Sequence, residues 1–123
     1  MHTATRPPLR PCAPTPSLQV HLEFATAADA LAWVEAWGPL AAHCRANEPG
    51  CLTYEAAIDD GAGTKVVIME RYTCKDDLTV VHQQSAPFLA FGKNAVQKLV
   101  VSKSGQSYFE SNVGFTFCAE KGY

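Results

Sequence analysis

A chain of 123 residues with 47% apolar, 18% charged and 10% aromatic side chains has the profile of one globular domain, large enough to bury roughly two-thirds of its unfolded surface without covalent staples. Ten basic against twelve acidic residues leave a net charge of −2, which argues against a nucleic-acid partner, and no run approaches the ~18 apolar residues of a membrane span. Five cysteines (Cys12, Cys44, Cys51, Cys74 and Cys118) include no C-x-x-C pair, so reduced, partly buried thiols in a cytoplasmic protein are expected, not a disulfide framework or a zinc knuckle.

Residues 1–17 hold five of the eight prolines, two arginines and no acid. Such a segment cannot bury enough surface to offset its chain entropy and reads as a disordered tail. The alternative is the end of an organelle transit peptide, although the amphipathic helix of such peptides is missing. The folded domain is expected over residues 18–123, with its core at about 18–103 and an extended strand and tail over 104–123.

Leu18 to Phe24 alternates apolar and polar at period two, the mark of a half-buried strand. Thr26 and Asp29 have the spacing of a capping box, and an Ala-rich helix is expected to about Asn47, with Trp33, Trp37, Leu40 and Cys44 on one stripe. Gly38-Pro39 should kink or split it, and Glu48-Pro49-Gly50 ends it. Cys51–Ile58 and Lys65–Tyr72 read as a hairpin around the Asp59–Gly63 turn. A second capping box at Thr73–Asp76 should open a short helix bearing Leu78, Val81 and His82. A further helix is expected from Ser85-Ala86-Pro87, with Phe88, Phe91, Ala95 and Leu99 at helical spacing to about Lys103. Ser104-Gly105 stops it, and Gln106–Phe117 reads as extended, with Gly114 as a bulge. The resulting order, β-α-β-β-α-β, is the ferredoxin-like α+β arrangement: an antiparallel sheet with both helices on one face. The bare face needs a cover, most simply a second copy, so a homodimer is expected.

Gly61-Ala62-Gly63-Thr64-Lys65 resembles a phosphate loop but leads into a strand, so a turn is the better reading. His43-Cys44 and Cys51 lack a fourth ligand at ordinary spacing, and no metal site is expected. His82 shares the inward stripe with Leu78, Val81 and Ser85, as a satisfied core histidine or as a pocket residue. Glu70 and Tyr72 lie two apart on one strand and share a face just before the His82 helix. An inward Glu needs a partner, because a lone buried carboxylate is costly. Tyr54 can supply a second phenol from the neighbouring strand. His21 shares a face with Gln19 and Glu23, opposite Val20, Leu22 and Phe24; it points to solvent, to an interface or to a pocket, and clean alternation forbids His21 and Phe24 from lining one pocket together.

Three ordered motifs, Glu48-Pro-Gly-Cys-Leu-Thr-Tyr-Glu55, Met69-Glu-Arg-Tyr72 and His82-Gln-Gln-Ser-Ala-Pro-Phe88-Leu-Ala-Phe91, resemble the antibiotic biosynthesis monooxygenase (ABM) domain over about residues 18–103. The resemblance implies a dimeric α/β barrel of ferredoxin-like subunits. Members include cofactor-free oxidisers of polyketide quinols, quinol monooxygenases, an isomerase and haem-degrading enzymes, so fold alone does not settle reaction. Pro87 is shifted by one from the family's helix motif, and a second helix histidine is absent. The implied cofactor-free chemistry places a small aromatic substrate in a dry pocket lined by Phe24, Trp33, Ile68, Phe88 and Phe91, with His21 and Tyr54 as further contacts. In it His82 is the base, Glu70 orients it, and Tyr72 and Tyr54 are phenolic donors. A haem-degrading reading uses the same pocket but would want an Asn and a Trp where this chain has His21 and Tyr72. A third reading is a catalytically silent, metabolite-binding dimer.

Overall fold

Four strands and two helices follow one another in the expected order in the computed structural model, which describes residues 14–116. They are β1 (Pro16–Phe24), α1 (Ala27–Asn47), β2 (Cys51–Ile58), β3 (Lys65–Tyr72), α2 (Ala86–Gly92) and β4 (Val100–Phe109), with a π-helical turn at Asp77–His82 and a 3-10 turn at Ala95–Leu99. All pairings are antiparallel and the sheet order is β2-β3-β1-β4, the ferredoxin-like α+β topology. Pairing sets Leu18, Val20 and Leu22 opposite Glu70, Ile68 and Val66 on one side and opposite Ser107, Gly105 and Lys103 on the other. These residues share the inner face, which packs on α1 through Trp33, Trp37, Leu40 and Cys44. Among the described residues, no helix is long and apolar enough to cross a membrane.

The hairpin strands have the expected boundaries, and Thr26 caps α1 by accepting the Asp29 N–H at 3.1 Å. Elsewhere the structure departs from expectation. Most of the expected tail lies outside the described residues, but Pro16 and Ser17 belong to β1, opposite Phe109 and Tyr108. Proline is compatible with the first position of a strand, and Pro16 is fully buried. Helix α1 runs unbroken through Pro39; one lost ladder bond is outweighed by the side chains buried on both sides of it, Trp33 and Trp37 before and Leu40 and Cys44 after.

No capping box forms at Thr73–Asp76. Asp76 makes no capping bond, and the Cys74 N–H donates instead to Asp77 Oδ2 at 3.0 Å. The turn that follows is closed by Gln83 N–H to Leu78 O at 2.9 Å, a five-residue step wider than an α-turn. That step keeps Leu78 and His82 inward and swings Val81 out to 44% exposure. The second helix stops at Gly92 and not near Lys103. Asn94 then caps a 3-10 turn from which Val96 and Leu99 reach the core, and β4 begins at Val100 instead of Gln106. The spacing of Phe88, Phe91, Ala95 and Leu99 suits one continuous helix, but Gly92 and the β-branched Val100-Val101 pair favour ending it. Strand β4 closes at Phe109, and Gly114, at φ +95°, lies in the segment beyond it.

That segment crosses the outer face of the sheet. Arg71 donates twice to Glu110, at 2.7 and 2.8 Å, and the Glu110 N–H donates to Thr15 O at 2.8 Å. A hollow of about 620 Å³ lies between Gln19, Met69 and Arg71 and the overlying Val113 and Phe115. Cys44 and Cys51 are free thiols, whereas Cys74 is disulfide-bonded, which corrects the expectation of reduced thiols at that position.

Candidate active site

Between the inner sheet face and the helices lies a cavity of about 670 Å³. Its apolar wall comes from Val20, Leu22 and Ile68 on the sheet, Trp33, Trp37 and Leu40 on α1, and Phe88 and Phe91 on α2. Room for it exists because β4 places two small inward residues, Gly105 and Ser107, opposite Val20 and Leu18. The Trp33 indole N–H is occupied by Gln97 Oε1 at 3.1 Å. The Trp37 indole N–H is buried with no acceptor in good hydrogen-bond geometry; its ring packs 4.8 Å from that of Tyr54, whose phenol it polarises.

Glu70 is the buried acid on this wall, 5% exposed. Its Oε1 accepts the Tyr72 hydroxyl at 2.6 Å and stands 3.9 Å from His82 Nε2. Burial pushes its carboxyl up to about 7; the Tyr72 hydrogen bond opposes this, the Glu48 charge adds to it and the Lys103 charge subtracts. The phenols of Tyr54 and Tyr72 are both pushed well up, by burial first and then by the Glu70 charge, so they act as neutral donors.

Behind Glu70, His82 is enclosed at 1% exposure. Its ring meets Tyr54 and Phe88 edge-on at 4.8 and 4.9 Å and lies 5.6 Å from Tyr72. Nδ1 lies 2.9 Å from Glu48 Oε1. A carboxylate beside Nδ1 selects the Nδ1–H tautomer and leaves the lone pair on Nε2, which has no hydrogen-bond partner. Burial lowers the pKa of this imidazole, against the hydrogen bond and charge of Glu48, which raise it. The Cys44 thiol donates to Glu48 Oε2 at 3.4 Å and is held protonated, its pKa raised by burial first and then by Glu48. Cys44, Glu48 and His82 bring their ligand atoms within 4.8 Å of one another, close enough to hold a metal ion by distance. Hydrogen bonds account for the grouping, because N–H and S–H both end on the carboxylate.

Of the residues singled out in the sequence, Glu70, Tyr54, Trp33, Ile68, Phe88 and Phe91 line the cavity. Phe24 does not; it sits in the core, 6.1 Å from the Trp33 ring. His21 is exposed on the outer face with Gln19 and Glu23, so the pocket role is corrected to a surface one. Tyr72 and His82 stand behind Glu70 and not on the cavity surface, the reverse of the order expected for a histidine base with an orienting acid. Glu48 is the residue that sequence reasoning missed. Its place beside Pro49-Gly50 marks it as a helix exit, and no spacing links it to a histidine 34 positions away. Gly50 was needed for more than the turn: a side chain there would run into the Asp77 carboxylate.

The antibiotic biosynthesis monooxygenase family profile matches residues 18–94. No curated protein matches the chain. Among solved structures, one from Caulobacter crescentus assigned provisionally as an antibiotic biosynthesis monooxygenase is similar at a TM-score of 0.71 and 23% identity, covering 80% of this chain and 91% of that one. PA3566 from Pseudomonas aeruginosa is similar at a TM-score of 0.68 and 21% identity, covering 80% and 95%. A dimeric ferredoxin-like protein from an uncultured marine organism is similar at 0.67 and 9% identity, covering 84% and 93%. At these identities the likenesses speak for fold.

Proposed function

The chain belongs to the antibiotic biosynthesis monooxygenase family, and on that footing we propose that it is a small oxygenase that oxidises a phenolic or quinol-like aromatic molecule with O2 and no added cofactor. The observation that carries this reading is one buried acid, its carboxyl pushed up to about 7, on the wall of a largely apolar cavity that Trp37 and Tyr54 also line. A base poised near neutral pH is matched to a phenolic proton, and donors aimed at the oxygen stabilise the anion that results.

In this mechanism Glu70 takes the phenolic proton, the Tyr54 hydroxyl holds the oxyanion, and the Trp37 ring packs behind Tyr54. The electron-rich ring reduces O2: a phenol plus O2 gives a quinone plus water, one oxygen atom entering the ring as it loses a C–H, so no external reductant is needed. Glu70 can pass its proton to the bare Nε2 of His82, which needs to close by about 1 Å from 3.9 Å to bonding distance. Glu48 holds the tautomer that makes this transfer possible. His82 is thus a relay behind the base. Tyr72 keeps Glu70 oriented.

The haem alternative fits this chain poorly. His82, the helix histidine, is enclosed at 1% exposure behind Glu70 and does not line the cavity, so its bare Nε2 does not face the space an iron would occupy. Pairing of two copies through their outer sheet faces is part of the proposal; Gln19, His21 and Glu23 are exposed there, and the similar marine protein is described as dimeric.

The test is an oxygen electrode with a panel of naphthols and quinols, no metal or flavin added. One O2 consumed per quinone formed, with one labelled oxygen in the product and one in water, is the expected result. Binding of the same compounds with no oxygen uptake would leave a metabolite-binding module instead.

A further inference from the structure

Three of the residues lining the cavity carry charge: Glu70 is buried, while Lys75 and Lys103 are exposed. Lys103 pairs with Leu22, which is 2% exposed on the inner face, so its side chain rises from β4 on the cavity side of the sheet. Phe109 has the same strand parity as Lys103, and the Lys75 ammonium sits 5.9 Å from the centre of its ring. Two cations therefore stand on the same side of the sheet and line the same cavity, Lys103 on the edge strand and Lys75 on the loop after β3, toward the Phe109 end of that strand. Neither has a carboxylate within ion-pairing distance among the described residues. Between them β4 presents only Gly105 and Ser107, and added bulk at Gly105 would meet nothing closer than Gln19 O at 3.9 Å, so the floor beneath the lysines is open.

An apolar chamber with one deep acid and two unpaired cations at its edge is complementary to an amphipathic anion. Resting on the reading of the deep end as a phenol site, we propose that the cavity selects aromatic substrates bearing an anionic substituent, of the carboxylate kind, with Lys103 and Lys75 as the residues that recognise it. The phenol stands against Glu70, Trp37 and Tyr54, the ring system fills the apolar chamber, and the anion stays in partial contact with water over Gly105. Keeping the anion at the rim avoids the cost of burying it, and two flexible ammonium groups tolerate more than one anion geometry. The competing account of an inward lysine on an edge strand is protection of that edge from pairing with other chains; it predicts no effect on any ligand.

Calorimetric titration of the full chain with 6-hydroxy-2-naphthoate, its methyl ester and 2-naphthol separates the two. The acid should bind about tenfold more tightly than the ester at low salt, the advantage shrinking as salt screens the rim. Lys103→Gln and Lys75→Gln should each weaken the acid several-fold and leave the ester unchanged. Both positions are exposed, so the variants keep the fold, checked by their melting curves. Gly105→Leu should abolish binding of all three compounds by filling the chamber. Equal affinity for acid and ester, equal loss of both in the lysine variants, or no binding of any of the three overturns the proposal. Because the readout is binding, an oxygen-electrode failure with the acid preference intact sinks only the oxygenase reading, and turnover without acid preference sinks only this one.

Discussion

Replacing Glu70 with glutamine should make the protein more stable at neutral pH and nearly inactive. The carboxyl ionises near 4.5 in the ordinary case and near 7 in the fold, because burial disfavours the charge. Between those values the folded state holds a proton that the unfolded chain has released, so stability falls as pH rises through that window. The stabilising contribution is complete below about pH 4.5 and lost above about pH 7. At 1.36 kcal/mol per tenfold difference in proton affinity, the loss is about 3 kcal/mol. An amide at position 70 can still accept the Tyr72 hydroxyl but never ionises, so Glu70→Gln removes the loss. Wild type and variant should melt together near pH 4.5 and diverge by roughly 10 °C at pH 8, using the ~3–6 °C per kcal/mol of a domain this size. Oxygen uptake, which needs the carboxylate form, should rise through about pH 7 in the wild type and drop by ~10²–10⁴-fold in the variant. Thermal melts across pH 4.5–8 and an oxygen electrode measure both. A wild-type stability that is flat over that range, or a variant that keeps its turnover, would refute the reasoning.

His82→Ala should cost about 2–5 kcal/mol, since it empties the space between Tyr54, Tyr72 and Phe88 and leaves Glu48 buried without its imidazole donor; a urea midpoint equal to wild type would contradict the enclosed position. Gly50→Ala should destabilise by about 1–3 kcal/mol because the new methyl meets the Asp77 carboxylate, and an unchanged midpoint would mean that the β3-to-π-turn loop gives way freely. Light scattering at micromolar concentration should return twice the 13.3 kDa chain mass; a monomer would remove the sheet-to-sheet pairing.

Local pattern alone determined much of this protein. Period-two alternation in Leu18–Phe24 and the Asp59–Gly63 turn between two strand-like segments placed three strands, the Thr26 cap placed the start of α1, and strand parity put Glu70 and Tyr72 on one face, all of them readable because backbone geometry repeats over two to four residues. Where helix and strand tendencies compete, the pattern ran out. The stretch from Ala95 to Lys103 carries apolar residues at helical spacing, yet β1 had an unpaired edge that a strand beginning at Val100 could satisfy. The order of the proposed catalytic groups was decided by tertiary structure alone. The stripe shared with Leu78 points His82 inward, but a π-turn and the carboxylate of Glu48, 34 residues earlier, draw the imidazole behind Glu70 and leave the acid facing the cavity. Which of two neighbouring ionisable groups meets a substrate depends on contacts between distant segments, and no periodicity records those.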